Sequence, residues 1–563
     1  ILGDAMLAMI SAMWEGSTLT ASQRTSLMVF GVKPGKANSL LPGDLRRISL
    51  LNTDFKLMTS LEAHRFKSTM THTVSPLQLV AGDDRRIHHG IAKARDAIQA
   101  VSKSGVGCAL LDLDFMAAFD YQVFNDWVLP VLRAKGLAEA VERRLVNIFN
   151  NRITIPVVNS VQGKAVKNIR RNLSQGCPSA MNWFSYAIDP LLCYLERRLQ
   201  GIPIYSLPVH GPAERGARRP EPLVVERYKV LGLADDVKPS VTTMEEFNTV
   251  ERGATLFELA TGNKLHRDPV KGKCKVLLLG RWRGRVQQED IGLPHLRIVD
   301  TLAFIGVKLT ASWQKTRKEN MDELQARVKT TINSWKSGKF QPLVCRPFSV
   351  NTFCLSKIWF RTHTVDIREG DITTLTSNVK QYIYQDMFYK PSEEMLFRPV
   401  QFGGLGLHNI RCKALASRIT SFLQTAINSK FQSSAYHSAL YQYYCCKNED
   451  EVVPPQPPYY PQSFFDIIIS MKEDTSLDPE KLSLKEWYKY LLEKKVTHQH
   501  ALGDPALPLE LRPSHREEQE PGHDWQRSYD LARRKGLDPG KKSFAFKLPN
   551  ILLPYKERLA EFQ

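Results

Sequence analysis

The sequence has 563 residues, more than one ordinary domain holds, and 43% of them are apolar, so roughly two to four units with sizeable cores are expected. No stretch approaches the roughly 18 uninterrupted apolar residues of a membrane span, which excludes a helical membrane protein. The net charge of +19 favours a polyanionic partner, nucleic acid first, over a merely basic soluble protein.

"ILGDAMLAMISAMW" opens the chain with Asp4 and no leading Lys or Arg, which fits an amphipathic core helix rather than a signal peptide. The initial Ile suggests a segment of something longer. A basic, turn-rich stretch and an apolar run follow in "VKPGKANSLLPGDLRRISLLNTDFKLM" (32–58). From 105 to 310 short apolar runs alternate with helical patterns, as in an α+β domain. From 311 the pattern is helical: Met321, Leu324, Val328, Ile332 and Trp335 recur at intervals of three and four, with Lys318, Arg327, Lys329 and Lys336 on other faces. "NEDEVVPPQPPYYPQ" (448–462) reads as a linker, and Ser483 with Glu486 as a capping box opening a helix. Residues 502–524 look irregular, and a last helical piece starts at Trp525. The nine cysteines form no CxxC pair and no Cys/His set. That pattern speaks against a zinc module or a disulfide framework and suits a reducing compartment.

Two stretches carry chemistry. In "LLDLDFMAAFDY" (110–121) a buried strand holds Asp112 and Asp114, and a helix begins at Ala117, Ala118 and Phe119. A buried carboxylate needs a compensating cation, here an arginine or a metal. In "YKVLGLADDVKPSV" (228–241) two strands flank an Ala234-Asp235-Asp236 turn, a hairpin with two carboxylates at its tip. Alone, such a pair is ordinary turn chemistry. With Asp114 it makes three carboxylates from two strand ends, a set able to hold two Mg²⁺ ions about 3.5–4 Å apart for an in-line displacement.

These stretches resemble known motifs. "LDFMAAFDY" looks like motif A of reverse transcriptases, "NLSQGCPSAMNWF" (172–184) like motif B and "LADD" like motif C. "TGNKLH…KGKCKVLLLG" (261–280) is similar to motif D and "LAFIGVKL" (302–309) to the motif E hairpin. "GDLRRISLLNTDFKLM" (43–58), "FGGLGLHNI" (402–410) and "KSFAFKLPNILLPYKERL" (542–559) resemble the fingers, thumb and post-thumb segments of LINE-type, non-LTR retrotransposon enzymes. The order also matches.

The resemblance implies an α+β right-hand polymerase with an antiparallel palm sheet, mixed fingers, a helical thumb and a helical C-terminal extension. Fingers would span 1–104, palm with fingers insertions 105–310, thumb 311–447, linker 448–462 and post-thumb 463–563. It implies an RNA-directed DNA polymerase using two Mg²⁺ ions, an RNA template, a DNA primer at a nicked target site and dNTPs, acting in the nucleus after cytoplasmic assembly on RNA. An endonuclease would lie outside this segment.

By the same match Asp114, Asp235 and Asp236 are the metal ligands, and Asp112 a supporting acid behind them. Asp120 caps or pairs locally. Phe119 stands where a bulky side chain blocks the 2′-hydroxyl, with plain core packing as the alternative. Arg46 matches the arginine that grips the triphosphate, Arg47 competing with it, and Lys56 is a further phosphate candidate. Gln175 and Gly176 pack near the nascent base pair, and Ser174 replaces the usual arginine. Lys275, or Lys273, would donate a proton to the leaving pyrophosphate. "SPLQLVAGDDRR" (75–86) loosely matches a template-contacting segment. Gly403 to Gly406 would cradle phosphate or simply turn. The competing classes are another palm polymerase, an intron maturase or telomerase-like enzyme, and a domesticated RNA-binding protein that has lost an acid. All three acids are present.

Overall fold

The computed structural model describes residues 2–494 apart from 34–44, 83–84, 168, 170, 172, 207–222, 337–340, 386–392, 401–403, 428–436, 438–439, 442–444, 446–461 and 476–477. The expected linker up to 461, the irregular stretch from 502, the helical piece from Trp525 and the segment 542–559 lie outside the described residues.

The N-terminal part builds α1 (Leu2–Trp14), the antiparallel pair β1 (Thr25–Val32) and β2 (Leu45–Leu51), then α2 (Thr53–Thr73) and α3 (Ile87–Ser104). α1 is helical as its periodicity predicts, but it is not a core helix. Of its described side chains only Met13 is buried, and Leu7 is 66% exposed. It docks by its C-terminal end, where the Arg65 and Arg144 guanidiniums lie 4.5 and 3.8 Å from the Trp14 ring.

Strand β3 (Cys108–Asp112) and helix α4 (Glu139–Phe149) lead to β4 (Ile153–Val158), which pairs parallel with β1 and carries the short strands β5 (Val161–Gln162) and β6 (Val166–Lys167). Helix α5 (Ala180–Arg198) and the pair β7 (Ile202–Ser206) and β8 (Leu223–Tyr228) follow. The hairpin β9 (Val230–Leu233) and β10 (Asp236–Val241), helix α6 (Glu245–Thr261), β11 (Lys275–Leu279) and β12 (Arg297–Ile298) complete the middle of the chain.

The central sheet runs β12-β11-β3-β10-β9, antiparallel except for the β11–β12 edge. β3 is buried throughout because both sheet faces are covered. Ala109, Leu111, Leu113 and Phe115 join one core with α5 and α6, whereas Cys108 and Leu110 join a second core with α3 and the later helices. The second core also takes the hairpin β13 (Thr301–Phe304) and β14 (Val307–Thr310), whose two-residue turn at Ile305 and Gly306 has positive φ at both positions.

Beyond it the structure is helical: α7 (Trp313–Lys336), α8 (Glu369–Ile383), α9 (Ile410–Ile427), α10 (Gln462–Thr475) and α11 (Leu484–Glu493). On α7 the expected stripe is buried at Met321, Leu324, Val328 and Ile332, with Lys318, Arg327 and Lys329 exposed. The capping box of α11 forms as predicted, with Ser483 Oγ accepting from Glu486 N and the Glu486 carboxylate from Ser483 N. No helix among the described residues is long and apolar enough to cross a membrane.

Between α3 and α9 lies a group of histidines, His89 and His437 buried and His88 and His363 half-buried. His88 stacks on His363 at 4.9 Å, and burial, then the charges of His89, His363 and Arg86, push His88 down to about 2. A histidine neutral in the fold but protonated in the unfolded chain below about 6.5 makes stability fall with falling pH, by about 1.4 kcal/mol per unit. Asp96, which burial pushes up to about 6, opposes this once the pH drops below that value. Replacing His88 with a non-titrating ring, His88→Phe, should therefore flatten the decline in melting temperature between pH 6.5 and 5. An unaltered slope in a thermal melt series would refute the assignment.

Candidate active site

The site begins where β3 stops pairing with β11. After Asp112, Leu113 N donates to Val237 O at 3.0 Å, His266 N donates to Asp114 O at 2.9 Å, and Met116 N donates to Lys264 O at 2.8 Å. Residues 113–116 are thus pinned between β10 and the segment 264–266, and Asp114 is fixed at the strand's end. The β9–β10 hairpin ends beside it: Leu233 pairs with Asp236, and Ala234 turns through the left-handed region at φ 54°.

Alternation along the strands puts Asp112, Asp236, Lys238 and Lys275 on one sheet face, Lys275 directly opposite Asp112. Asp114 and Asp236 are 39% and 46% exposed, open to a ligand. Asp235 is half-buried. Burial first, then the negative charges of Asp236 and Asp114, hold its carboxyl above the usual range. Among the described residues no three His, Cys, Asp or Glu side chains converge tightly enough to hold a metal ion unaided.

The cation beside Asp112 is a lysine rather than an arginine. It is Lys238, almost fully buried two residues along β10 from Asp236, whose Nζ contacts Asp112 Oδ1 and lies 3.7 Å from Asp236 Oδ1. Burial still keeps the Asp112 carboxyl raised, against the pull of Lys238. Asp120 does not pair locally either. Its carboxylate meets Arg47 of β2 at 3.6 Å, because the short helix Ala118–Tyr121 turns it toward that strand.

Phe119 is half-buried, its ring stacked on Phe184 at 4.4 Å. The Gln175–Gly176 loop lies on β2: Ser49 N donates to Gln175 O at 2.7 Å, and a Cβ on Gly176, at φ +117°, would lie 2.4 Å from Ser49 O. Only glycine fits there. Ser49 and Arg47 share that face of β2, whereas Arg46 alternates to the other face and is exposed. Lys56 is half-exposed in the first turn of α2. Lys275 is half-buried near Asp112. Lys273 is exposed, and its charge acts on His266.

No protein-family model matches the chain. Over 396 residues, 69% of its length, it is 23% identical to the Transposon TX1 uncharacterized 149 kDa protein of Xenopus laevis, of which it spans 28%. That likeness is to a transposon protein, of which the chain spans under a third. Among solved structures it is similar to telomerase from Candida tropicalis with a telomeric RNA fragment, at 9% identity and a TM-score of 0.38, covering 76% of this chain and 66% of that one. Telomerase from Candida albicans with such a fragment gives 10% identity and 0.32, covering 68% and 66%. Overlaps that loose carry no assignment.

In the glycine-rich segment the described amides are already committed to backbone carbonyls, which closes them to a phosphate. Gly403 lies outside the described residues, and the N–H groups of Gly404, Leu405, Gly406 and Leu407 donate to the carbonyls of Pro399, Met395, Arg398 and Leu396. Sequence reasoning missed four side chains. Lys238 was legible as a lysine inside an apolar strand, which demands an acid. Arg152 buries its guanidinium, which lowers it to about 10, and donates to Ser174 Oγ at 3.0 Å where motif B lacks its arginine. His266 Nε2 stands 4.0 Å from Asp114 Oδ2. Arg85 closes on carbonyls of its own loop. Nothing in the local sequence signals the last three.

Proposed function

We propose that this chain is an RNA-directed DNA polymerase that copies a retroelement RNA into cDNA, primed at a target site in DNA. The central sheet is its palm, the β1–β2–β4 sheet with α2 its fingers, and the helices from α7 its thumb. The carrying observation is that Asp114 and the Asp235–Asp236 turn stand at adjacent strand ends, with Asp235 raised by burial first and then by the charges of the other two. Repulsion of that kind is relieved by a cation.

The donor set fits Mg²⁺. All three donors are hard carboxylate oxygens, the ligand type that Mg²⁺ takes alongside water and substrate phosphate. When bound, two such ions supply activation of the primer 3′-hydroxyl and stabilisation of the leaving pyrophosphate. The chain's own residues do the rest. Lys238 neutralises Asp112 and holds it in place at the floor of the site. Gly176 and Gln175 bring the motif B loop onto β2. Arg46, or Arg47 through its place beside Asp120, grips the triphosphate. Lys275, or Lys273, gives a proton to pyrophosphate. Action would be nuclear, after assembly on RNA. Primer extension on poly(rA)/oligo(dT) with Mg²⁺ tests this: dTMP addition is expected, and a folded, RNA-binding chain that adds nothing would overturn it.

Phe119 links the site to its substrate. The ring is stacked on Phe184 and half-exposed, and in this reading it would bar a 2′-hydroxyl. Phe119→Val should lower the ratio of kcat/KM for dGTP over rGTP by ~1–3 kcal/mol with little change in melting temperature. An unchanged ratio, with ~3–5 kcal/mol of stability lost in Phe119→Ala, would return Phe119 to the core.

A further inference from the structure

Ala234 sits directly before Asp235 in a left-handed conformation that residues with a Cβ rarely adopt. Something must hold it. Both polar groups of this residue meet one side chain: Ala234 N donates to Gln78 Oε1 at 3.0 Å, and Gln78 Nε2 reaches Ala234 O at 3.4 Å. Gln78 is fully buried although no strand or helix carries it. It arrives there because its neighbours pair with β9: Leu79 N donates to Gly232 O, and Gly232 N to Leu77 O, both at 2.8 Å. A Cβ on Gly232 would lie 2.9 Å from Leu192 and 3.4 Å from the Gln78 amide. The loop is closed from behind by buried Arg85, which donates to Ser75 O at 2.7 Å, Gln78 O at 3.1 Å and Val74 O at 2.6 Å.

We propose that Gln78 is the positioning residue of the Asp235 turn: its amide brackets the Ala234 peptide groups and fixes where the Asp235 carboxylate points. The proposal deepens, and rests on, the polymerase reading above. The segment carrying Gln78 thus acts on the acids from beneath, through hydrogen bonds rather than charge, and Arg85 holds the bracket shut. A displaced carboxylate is costly, since misplacement by about 1 Å can slow a reaction about 100-fold.

The test compares the wild-type chain with Gln78→Met, which keeps the volume and loses both hydrogen bonds, and Gln78→Glu, which keeps only the acceptor. Gln78→Met should lower kcat about 10- to 100-fold while the KM for dNTP and the affinity for RNA stay within about threefold. The Mg²⁺ concentration for half-maximal rate should rise. Gln78→Glu should fall between the two. Hydrogen–deuterium exchange of the peptide spanning 230–241 should speed up in Gln78→Met. That arm needs no activity, so it judges the bracket even if the wild type fails to extend a primer, which would sink the polymerase reading separately. Wild-type kcat in Gln78→Met overturns the proposal. So does unchanged exchange at 230–241, or a loss of rate that follows RNA affinity and melting temperature together.

Discussion

Asp235→Ala is expected to cut primer extension by on the order of 1,000-fold or more and to leave RNA binding intact or slightly tighter. The rate falls because the variant lacks a ligand for the ions that supply much of the barrier reduction in phosphoryl transfer. Binding holds because the substitution only removes a negative charge from a basic protein. The same variant should be no less stable without Mg²⁺. The Asp235 carboxyl is held above its ordinary value by burial and by its acidic neighbours, so its charged form is disfavoured in the fold, and that penalty grows as pH rises through the folded value. Losing the carboxylate removes the penalty. The stabilisation that added Mg²⁺ gives the wild type should vanish with it. Asp114→Ala and Asp236→Ala should behave alike in extension, and Asp112→Asn should lose much less, since Asp112 is occupied by Lys238. Extension by Asp235→Ala near the wild-type rate would show that the acids are not the ligands.

Lys238→Met should cost about 3–5 kcal/mol of stability, because it strands the buried Asp112 carboxylate without its partner. Adding Asp112→Leu to it should restore most of that loss, since an apolar pair of similar volume often replaces a buried ion pair with little penalty. The measurement is denaturant unfolding of the two single variants and the double. The pair also matters to the site, because the Lys238 ammonium lies 3.7 Å from Asp236. In the double variant stability should return while extension stays reduced. A single variant within about 1 kcal/mol of wild type would mean that the ion pair does not form.

The strands and helices that place the acids were legible because their signals are local. The apolar run from Leu110, the two runs flanking Asp235 and the three-four spacing from Met321 to Ile332 each mark an element that is found. The strand expected to hold both Asp112 and Asp114, however, starts at Cys108 and ends at Asp112, leaving Asp114 beyond it. The α11 cap was readable for the same reason. What failed depends on partners far along the chain. Asp120 pairs with Arg47, 73 positions earlier, and nothing near Asp120 announces it. α1 has a core helix's composition but reaches the core only at its C-terminal end, and that is decided by Trp14, Arg65 and Arg144 meeting in space. The glycines at 404 and 406 were ambiguous until their amides proved committed to carbonyls. Gln78 is the extreme case: 156 positions separate it from Ala234.

The most direct measurement of the central claim maps the cation without relying on turnover. Iron(II) in place of Mg²⁺, with ascorbate and peroxide, generates short-lived radicals that cut the backbone beside the bound ion. The account predicts cuts at Asp114 and at Asp235–Asp236, suppressed by excess Mg²⁺ and absent in Asp235→Ala. A folded wild-type chain cut elsewhere, or not at all at these two strand ends, would contradict it.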